Sequence, residues 1–244
     1  MKDLLILPAY NEQDTLEQTI SELQQLPDVF ELVVVNDGSK DKTGEIAERL
    51  SRTSRLRLHV VHLPFNGGIG VSVQTGYLFA AEHGGYRYVF QFDSDGQHDV
   101  AYVLPLIDAC ERGRLDLCIG SRFLDRKPGD FQSTWIRRQG IRFLAWLIRS
   151  LSGVRITDPT SGLRCAGPRA WATFARSYPE DYPEPESLYW CARNKLRIGE
   201  IPVRMRARRG GVSSINYAQT FFYLFKVSLA IVVDSLRKKE PPLS

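Results

Sequence analysis

The sequence is poor in the residues that build cross-links and thiol metal sites. Its 244 residues include four cysteines and four histidines, and no two cysteines form a Cys-x-x-Cys pair. Disulfide frameworks and zinc sites depend on clustered thiols or imidazoles, so both are disfavoured. No apolar stretch after Met1 resembles a signal peptide. Together with the scarcity of cysteine, this predicts a cytoplasmic location.

Two common nucleotide-binding signatures are also missing. The pair Gly68-x-Gly70 is not followed by the third glycine of a dinucleotide fingerprint, because Val73 stands at that position. The spacing of a Walker A loop occurs nowhere in the chain. NAD binding and P-loop ATP hydrolysis are therefore disfavoured.

Charge is unevenly divided along the chain. Residues 1–120 carry 10 basic and 18 acidic side chains, whereas the remainder carries 22 basic and 10 acidic ones, for a formal total of +4. This asymmetry predicts carboxylates for a metal in the first part, and cations for a phosphate-bearing partner or an anionic membrane in the second. A chain coated uniformly for nucleic acid would not show it, so nucleic acid is not expected as a partner.

Apolar runs of strand length alternate with segments of helical periodicity. The runs cover residues 4–7, 32–35, 56–62, 86–92 and 115–120, and the helical segments cover 12–26, 41–51, 68–83 and 99–112. Near-continuous apolar strands are typical of a mostly parallel α/β sheet with helices on both faces. The carboxyl ends of such strands share one edge, and ligands bind there.

The second part of the chain is less regular. It predicts helices over residues 135–151, near 168–176 and up to about residue 195, a stretch broken by prolines over 179–186, and a strand over 197–205. No linker or repeat divides the chain. We expect one domain over residues 1–215, followed by an amphipathic C-terminal helix and tail over 216–244.

Acidic and small residues follow the predicted strands. Asp93 and Asp95 flank a single residue after the fourth run, and Gln97 adds an amide oxygen. Such oxygen ligands suit Mg²⁺ or Mn²⁺, which usually takes substrate phosphates as further ligands. Asp37 follows the second run and is expected to bind a nucleoside, with a helix cap as the alternative. His98 is expected to pack against the turn, and contact with the metal or a phosphate is its alternative.

Six ordered motifs, at residues 8–12, 35–39, 66–70, 93–98, 120–122 and 158–164, resemble those of the family 2 glycosyltransferases of GT-A (Rossmann-like) fold. The resemblance covers about residues 3–215 and is strongest to the dolichyl-phosphate mannose synthase group and its bacterial polyprenyl-phosphate relatives. It implies an inverting, metal-dependent transfer of a sugar from a nucleoside-diphosphate sugar.

The resemblance also implies residue roles. Metal ligands would be Asp93, Asp95 and Gln97. Donor-binding residues would be Pro8, Tyr10, Glu12, Asp37, Gly67, Asp93, Arg208, Arg209 and Ser213. The spacing of the basic segment does not rank Arg208 against Arg209.

The acceptor leaves alternatives open. A polyprenyl phosphate or lipid-linked glycan at the cytoplasmic membrane face would need cations, and the candidates are Arg122, Arg137, Arg138 and Arg164. A saccharide hydroxyl would need a carboxylate base, and the candidates are Asp158, Glu184 and Glu186. A non-catalytic nucleotide-sugar-binding scaffold is the third alternative.

The C-terminal apolar run is too short to span a bilayer. Residues 221–233 are about 13 residues long, against the roughly 20 that a bilayer core requires. With the Trp- and Arg-bearing helix at 135–151, this run predicts peripheral seating on the inner face of the cell membrane. Closure of the core, or a homo-oligomer interface, is the alternative.

Overall fold

A computed structural model describes residues 1–125, 135–206 and 217–236. Within these ranges the chain forms seven strands and eight α-helices. The strands are β1 (Lys2–Ala9), β2 (Phe30–Asn36), β3 (Arg57–His62), β4 (Tyr86–Gln91), β5 (Leu117–Ser121), β6 (Arg164–Ala166) and β7 (Ile198–Pro202). The helices are α1 (Leu16–Leu23), α2 (Thr43–Thr53), α3 (Gly68–His83), α4 (Val103–Gly113), α5 (Trp135–Ser152), α6 (Pro168–Arg176), α7 (Pro183–Arg193) and α8 (Tyr217–Leu236).

The predicted mostly parallel sheet is confirmed. Its strand order is β3-β2-β1-β4-β6-β5-β7, and β6 alone runs antiparallel to its neighbours. The six parallel strands therefore present their carboxyl ends along one edge. Strand β6 was not expected. It has three residues, too few to produce a periodic pattern, and its place in the sheet comes from pairing with β4 and β5.

Side chains of the central strands alternate between two apolar cores. Leu4 and Ile6 of β1 pack on the face covered by α3, α5, α6, α7 and α8. Leu5 and Leu7 pack on the opposite face, which α1, α2 and α4 cover. This alternation follows from the two-residue period of a strand, and it explains why each strand reads as a continuous apolar run.

Helix α7 begins inside the stretch that was expected to be broken by prolines. Pro183 is the first residue of α7 and Pro185 lies in the same turn. A proline in the first turn removes an N–H that has no partner within the helix, so it is compatible with helix initiation. As a result, Glu184 and Glu186 belong to the first turn of a helix and face different surroundings.

Helix α8 extends beyond the predicted apolar run at both ends. Val227 and Ile231 are buried in the core that α5 and α7 also line. Its outer face exposes Phe225, Leu229, Val232, Val233 and Leu236. No helix in the described ranges is both long enough and apolar enough to cross a membrane. The division at residues 215 and 216 stays a prediction.

Candidate active site

The loop after β4, which we call the aspartate loop, holds Asp93 and Asp95 on either side of the buried Ser94. Ser94 is 2% exposed, and its hydroxyl donates to the Pro8 carbonyl at 2.6 Å. Its own carbonyl accepts from the Thr19 hydroxyl at 3.2 Å. Because Ser94 anchors the loop inward, Asp93 and Asp95 both remain partly exposed at the sheet edge. The two carboxylates are therefore accessible to a ligand.

The surroundings of these carboxylates suit a hard cation. Asp95 Oδ1 accepts the Gln97 N–H at 3.0 Å across a turn in which Gly96 has a positive φ of 74°. In the described ranges, no three His, Cys, Asp or Glu side chains form a group that could hold a metal on its own. Asp93, Asp95 and Gln97 carry oxygen atoms of the kind that bind Mg²⁺ or Mn²⁺ together with substrate oxygens, and their role as metal ligands stays a prediction.

His98 supports the loop from below. The imidazole is 3% exposed, and its Nδ1 accepts the Asp93 backbone N–H at 3.1 Å, so Nε2 carries the proton. Nε2 lies 3.5 Å from Asp93 Oδ2 and has no hydrogen-bond partner among the residues that the structure describes. Burial lowers the pKa of His98 to about 4, which keeps the ring neutral. The ring also packs edge-on against Phe92. These contacts agree with the expected packing role.

Arg206 ties a distant segment to the same loop. Its N–H donates to the Gln97 carbonyl at 2.9 Å, and its guanidinium pairs with Glu22 and, at 3.2 Å, with Asp99. Sequence reasoning gave Arg206 no role of its own, although it lies in the basic segment. Arg208, Arg209 and Ser213 lie outside the described residues, so their donor-binding roles stay predictions.

Asp37 organises the glycine turn that begins α3. Its two carboxylate oxygens accept the N–H groups of Gly67 at 2.7 Å and Gly68 at 3.0 Å. Asp37 thus caps α3, and not the next helix along the chain, whose N-cap residue is Lys42. Gly38 has a positive φ of 64°, and a side chain there would overlap the Phe65 backbone. The nucleoside role of Asp37 and the donor role of Gly67 stay predictions.

Hydrogen bonds join the loop after β1 to the segment that follows β2. The Asn11 N–H donates to Ser39 Oγ at 3.0 Å, and the Glu12 N–H donates to Thr43 Oγ1 at 2.8 Å. Tyr10 is 42% exposed beside them. Pro8 is buried in β1, and its carbonyl accepts the hydrogen bond from Ser94 in the aspartate loop. The donor contacts expected of Pro8, Tyr10 and Glu12 stay predictions.

Arg122 and Asp158 form a buried ion pair beside the aspartate loop. Arg122 Nε and Nη2 donate to the two Asp158 oxygens at 2.7 Å each, and Thr160 Oγ1 adds a further donor. Asp158 is 0% exposed. A carboxylate with both oxygens engaged is poorly placed to remove a proton, so the geometry favours Asp158 as the residue that orients Arg122. Its candidacy as a base stays untested.

Glu200 is a partly buried acid to which the sequence analysis assigned no role. Its carboxylate accepts the N–H groups of Thr157 at 2.8 Å and Asp158 at 3.0 Å, and thereby fixes the loop that presents Asp158. Burial raises the pKa of Glu200, while the backbone donors oppose that shift. The sequence signal that could have identified Glu200 is an acid among the apolar residues of β7, because such an acid requires partners inside the protein.

Arg164 is not available to an acceptor, contrary to the sequence expectation. The side chain is 0% exposed in β6. Its Nε donates to the Ser161 carbonyl at 2.7 Å and Nη1 donates to Ser187 Oγ at 2.8 Å. We therefore correct its assignment from acceptor binding to joining the 158–161 loop to α7. The physical reason is that β6 lies between two strands and directs the guanidinium inward.

The two candidate bases of α7 lie in separate surroundings. Glu184 Oε1 accepts from Gln91 Nε2 at 3.3 Å, and the same Gln91 amide lies 3.4 Å from Asp93 Oδ1. Burial, opposed by the Arg164 charge, raises the pKa of Glu184. Gln91, the fully buried polar end of an apolar strand, is a second residue that sequence reasoning missed.

Glu186 faces away from the aspartate loop. It lines a cavity of about 280 Å³ between α6, α7 and α8, together with Asp234. Burial, followed by the charges of Asp181 and Asp234, raises the pKa of Glu186 to about 7. No residue of the aspartate loop lines this cavity, so the structure places Glu186 apart from Glu184, and the candidacy of each as a base stays a prediction.

Two further cations begin α5. Desolvation, followed by the nearby Arg122 charge, lowers the pKa of Arg137. Arg138 lines a second cavity, together with Phe123 and Thr157. Phe123 lies beneath the Arg122 guanidinium, whose carbon is 5.4 Å from the ring centroid. The structure thus brings Arg137 and Arg138 close to the Arg122–Asp158 pair.

Comparison with known proteins identifies the family. The family described as Glycosyl transferase family 2 matches residues 4–166. A polyprenol monophosphomannose synthase from Mycolicibacterium smegmatis is 29% identical, over 93% of this chain and 86% of that protein. A UDP-N-acetylglucosamine–dolichyl-phosphate N-acetylglucosaminyltransferase from Methanococcus voltae is 30% identical, over 94% of this chain and 97% of that protein.

Solved structures agree on the fold. The Mycobacterium tuberculosis glucosyl-3-phosphoglycerate synthase, in complex with Mn²⁺, UDP and phosphoglyceric acid, superposes with a TM-score of 0.69 at 20% identity, over 98% of this chain and 80% of that one. A Pyrobaculum calidifontis mannosyltransferase, in complex with GDP-Man and Mn²⁺, gives 0.68 at 18% identity, over 99% and 66%. The chain therefore belongs to glycosyltransferase family 2 and is a glycosyltransferase of GT-A fold.

Proposed function

We propose that this enzyme transfers a sugar from a nucleoside-diphosphate sugar to the phosphate of a polyprenyl phosphate. The observation that carries the proposal is the pair of accessible carboxylates, Asp93 and Asp95, beside a guanidinium, Arg122, that Asp158 holds in place. The names of two relatives specify polyprenol and dolichyl-phosphate products or acceptors. The site thus offers carboxylates for a cation on one side and a fixed cation for an anionic acceptor on the other.

The nucleotide-sugar donor would bind at the part of the sheet edge that the first half of the chain forms. Asp93, Asp95 and the Gln97 amide would hold Mg²⁺ or Mn²⁺, the latter being present in two structural neighbours. When bound, the cation neutralises charge on the diphosphate. The nucleoside would lie over the turns of Asp37 and Gly67, with Pro8, Tyr10 and Glu12 along the adjoining loop.

The leaving diphosphate needs further cations. The Arg206 N–H donates to the Gln97 carbonyl, so Arg206, the first residue of the basic segment that includes Arg208 and Arg209, lies beside the aspartate loop. We propose that this segment, with Ser213, neutralises the departing nucleoside diphosphate. Guanidinium groups suit that task because they form paired hydrogen bonds with phosphate oxygens.

The acceptor would approach from the second half of the edge. A phosphate oxygen is already an anion near neutral pH, so it needs a cation to hold it more than a base to activate it. Arg122 supplies that cation, and Arg137 and Arg138 lie close to it. In an inverting displacement, the acceptor oxygen forms its bond to the anomeric carbon as the bond to the diphosphate oxygen breaks, and the electron pair leaves with the diphosphate.

A polyprenyl acceptor places the reaction at a membrane. The exposed apolar face of α8, with Phe225, Leu229 and Leu236, would rest on the lipid surface. We propose a peripheral association with the cytoplasmic face. An amphipathic helix in the interface provides this without a transmembrane span.

The test compares the metal-dependent release of nucleoside diphosphate by the wild type with that by the variant Asp95→Ala. Loss of one ligand to the cation should lower turnover about 10³-fold, because metal assistance contributes several kcal/mol to the transition state. Asp28→Ala, at an exposed loop residue, is the matched control. Unchanged turnover in Asp95→Ala, or turnover that is insensitive to chelation, would contradict the metal assignment.

A saccharide hydroxyl is the second candidate acceptor, and the environment of Glu184 favours it. Its raised pKa and its link through Gln91 to Asp93 are features of a carboxylate poised for proton transfer. The variant Glu184→Gln decides between the acceptors. If the acceptor is a phosphate, turnover should stay within a few-fold of wild type. Collapse of turnover with donor affinity retained would favour the hydroxyl.

A further inference from the structure

A groove lined by arginines runs along α5 on the acceptor side of the enzyme. It has a volume of about 370 Å³ and lies between α5 and the chain that follows it. We call it the arginine groove. Its lining residues are Phe123, Arg138, Ile141, Arg142, Ala145, Trp146, Arg149, Arg155, Ile156 and Thr157. Four of these ten are arginines and none is acidic.

Three of these arginines lack the partners that other arginines have. Arg142, Arg149 and Arg155 are exposed, and across the described ranges none of them pairs with a carboxylate. By contrast, Arg49, Arg87 and Arg169 each contact an acid. Like charges gathered around one groove repel one another, so an anion in the groove would relieve an unfavourable arrangement.

The floor of the groove is apolar and its rim is aromatic. Ile141 and Ile156 are 5% and 4% exposed at the floor. Trp146 is 61% exposed, and its ring centroid lies 6.0 Å from that of Phe143, which is also exposed. Aromatic rings beside cations are typical of the headgroup region of a membrane. An inorganic anion would leave this floor in contact with water.

The groove is long enough to hold an anion other than the acceptor phosphate. Arg138 and Arg149 are eleven residues apart on one helix, which corresponds to about 16 Å along its axis. A single phosphate beside Arg122 cannot also contact Arg149. The distal part, with Arg142, Arg149 and Arg155, therefore needs a separate negative charge.

We propose that the distal arginine groove binds the headgroup of an anionic bilayer phospholipid, with its phosphate on Arg142, Arg149 and Arg155 and its glycerol region over the apolar floor. The inference rests on the proposed function insofar as a membrane acceptor gives the enzyme a reason to dock there. It adds a lipid site that orients α5, and with it Arg122, toward the bilayer surface.

The experiment is co-sedimentation of the full chain with vesicles of phosphatidylcholine, with and without phosphatidylglycerol. The triple variant Arg142→Gln, Arg149→Gln, Arg155→Gln should weaken binding to the phosphatidylglycerol vesicles about 100-fold, since each cation near an anionic surface contributes about a fivefold factor. All three residues are exposed, so the variant should fold, as circular dichroism would verify.

Matched controls separate a specific site from general charge. Replacing three exposed arginines of the opposite layer by glutamine changes the net charge equally and should alter vesicle binding far less; these are Arg52, Arg112 and Arg114. Equal losses in the two triple variants would overturn the proposal. Binding of inorganic phosphate that the triple variant loses, combined with equal binding of the wild type to vesicles with and without phosphatidylglycerol, would also overturn it, because a free-phosphate site would then explain the arginines.

A spectroscopic readout locates the lipid. Phosphatidylglycerol with brominated acyl chains should quench Trp146, and Trp146→Phe should lose that part of the quenching. Unaltered quenching in Trp146→Phe would contradict the placement. These assays contain neither nucleotide sugar nor polyprenyl phosphate, so they can succeed while the proposed transfer reaction fails, and the reverse.

Discussion

The two halves of the sheet edge are held together by different interactions. On the proposed donor side, the loops after β1, β2 and β3 are joined by individual hydrogen bonds, such as those from the Asn11 N–H to Ser39 and from the Gly67 N–H to Asp37. On the proposed acceptor side, buried and partly buried charges are linked in series: Glu200 accepts hydrogen bonds from the loop of Asp158, and Asp158 binds Arg122.

This difference has a physical basis in the ligands that each half is proposed to take. A metal with its diphosphate supplies its own strong charge, so the protein needs accessible carboxylates on a well-shaped loop. An anionic acceptor needs a protein cation that stays fixed. A buried guanidinium is costly unless it is fully paired, so the acceptor side requires a connected set of acids.

Breaking the acceptor-side set should have the largest effect. The variant Asp158→Asn leaves the Arg122 guanidinium, which is 7% exposed, without a charged partner. We expect a loss of about 3–5 kcal/mol in the free energy of unfolding, measured by urea denaturation. The double variant Arg122→Gln, Asp158→Asn should recover part of that loss, because no unpaired buried charge remains.

An exposed pair in the donor half is the control for Asp158→Asn. Arg49 and Glu17 are 2.7 Å apart, but more than half of each side chain is exposed. Glu17→Gln should leave the unfolding free energy unchanged within error, since solvent screens such pairs. If Glu17→Gln and Asp158→Asn destabilise the protein equally, the contrast between the two halves is wrong.

A pH series extends the comparison to a carboxyl that lies away from the proposed acceptor site. The pKa of Glu186, raised to about 7, means that the folded chain binds a proton which the unfolded chain releases near the ordinary value of 4.5. Stability should therefore fall as pH rises between these two values. Glu186→Gln should remove this dependence and gain on the order of 2 kcal/mol at about pH 8 relative to wild type.

The measurement for Glu186 is urea denaturation at several pH values. Below the ordinary carboxyl pKa, wild type and Glu186→Gln should have the same free energy of unfolding. Because Glu186 faces the α8 cavity and not the aspartate loop, turnover should change little. A collapse of turnover with stability unaffected would return Glu186 to the list of catalytic candidates.

The donor half should show the smallest stability effect but a selective loss of affinity. Asp37→Asn retains one acceptor oxygen and loses the other toward Gly67 and Gly68. We expect a loss of about 1 kcal/mol in stability. If Asp37 also contacts the nucleoside, KM for the donor should rise while binding of the acceptor stays constant. A parallel change in both affinities would indicate a purely structural cap.

Much of the donor half could be predicted because its signals are local. Helix α3 was predicted over residues 68–83 and the structure has it at Gly68–His83. The placement of Asp93 and Asp95 at the sheet edge followed from the apolar strand that precedes them. Parallel strands bring their carboxyl ends together whatever the details of packing, so sequence order was sufficient there.

The acceptor half resisted prediction because its decisive contacts join residues far apart in sequence. The sequence suggested that Arg164 binds the acceptor as a cation, yet its buried guanidinium donates a hydrogen bond to Ser187. Glu184 and Glu186 are two residues apart in the first turn of α7, yet Glu184 contacts Gln91 whereas Glu186 lines the cavity between α6, α7 and α8.

The sequence by itself determined the alternation of strands and helices, the carboxylates at the strand ends and the uneven charge, because each depends on residue types over short spans. Only the tertiary structure decided which charges are paired, which are buried and which remain for a ligand. Pairing depends on neighbours brought together by the sheet, such as Arg122 with Asp158 across 36 positions of the chain. The burial of a charged side chain then decides whether it stabilises the fold or can contact a substrate.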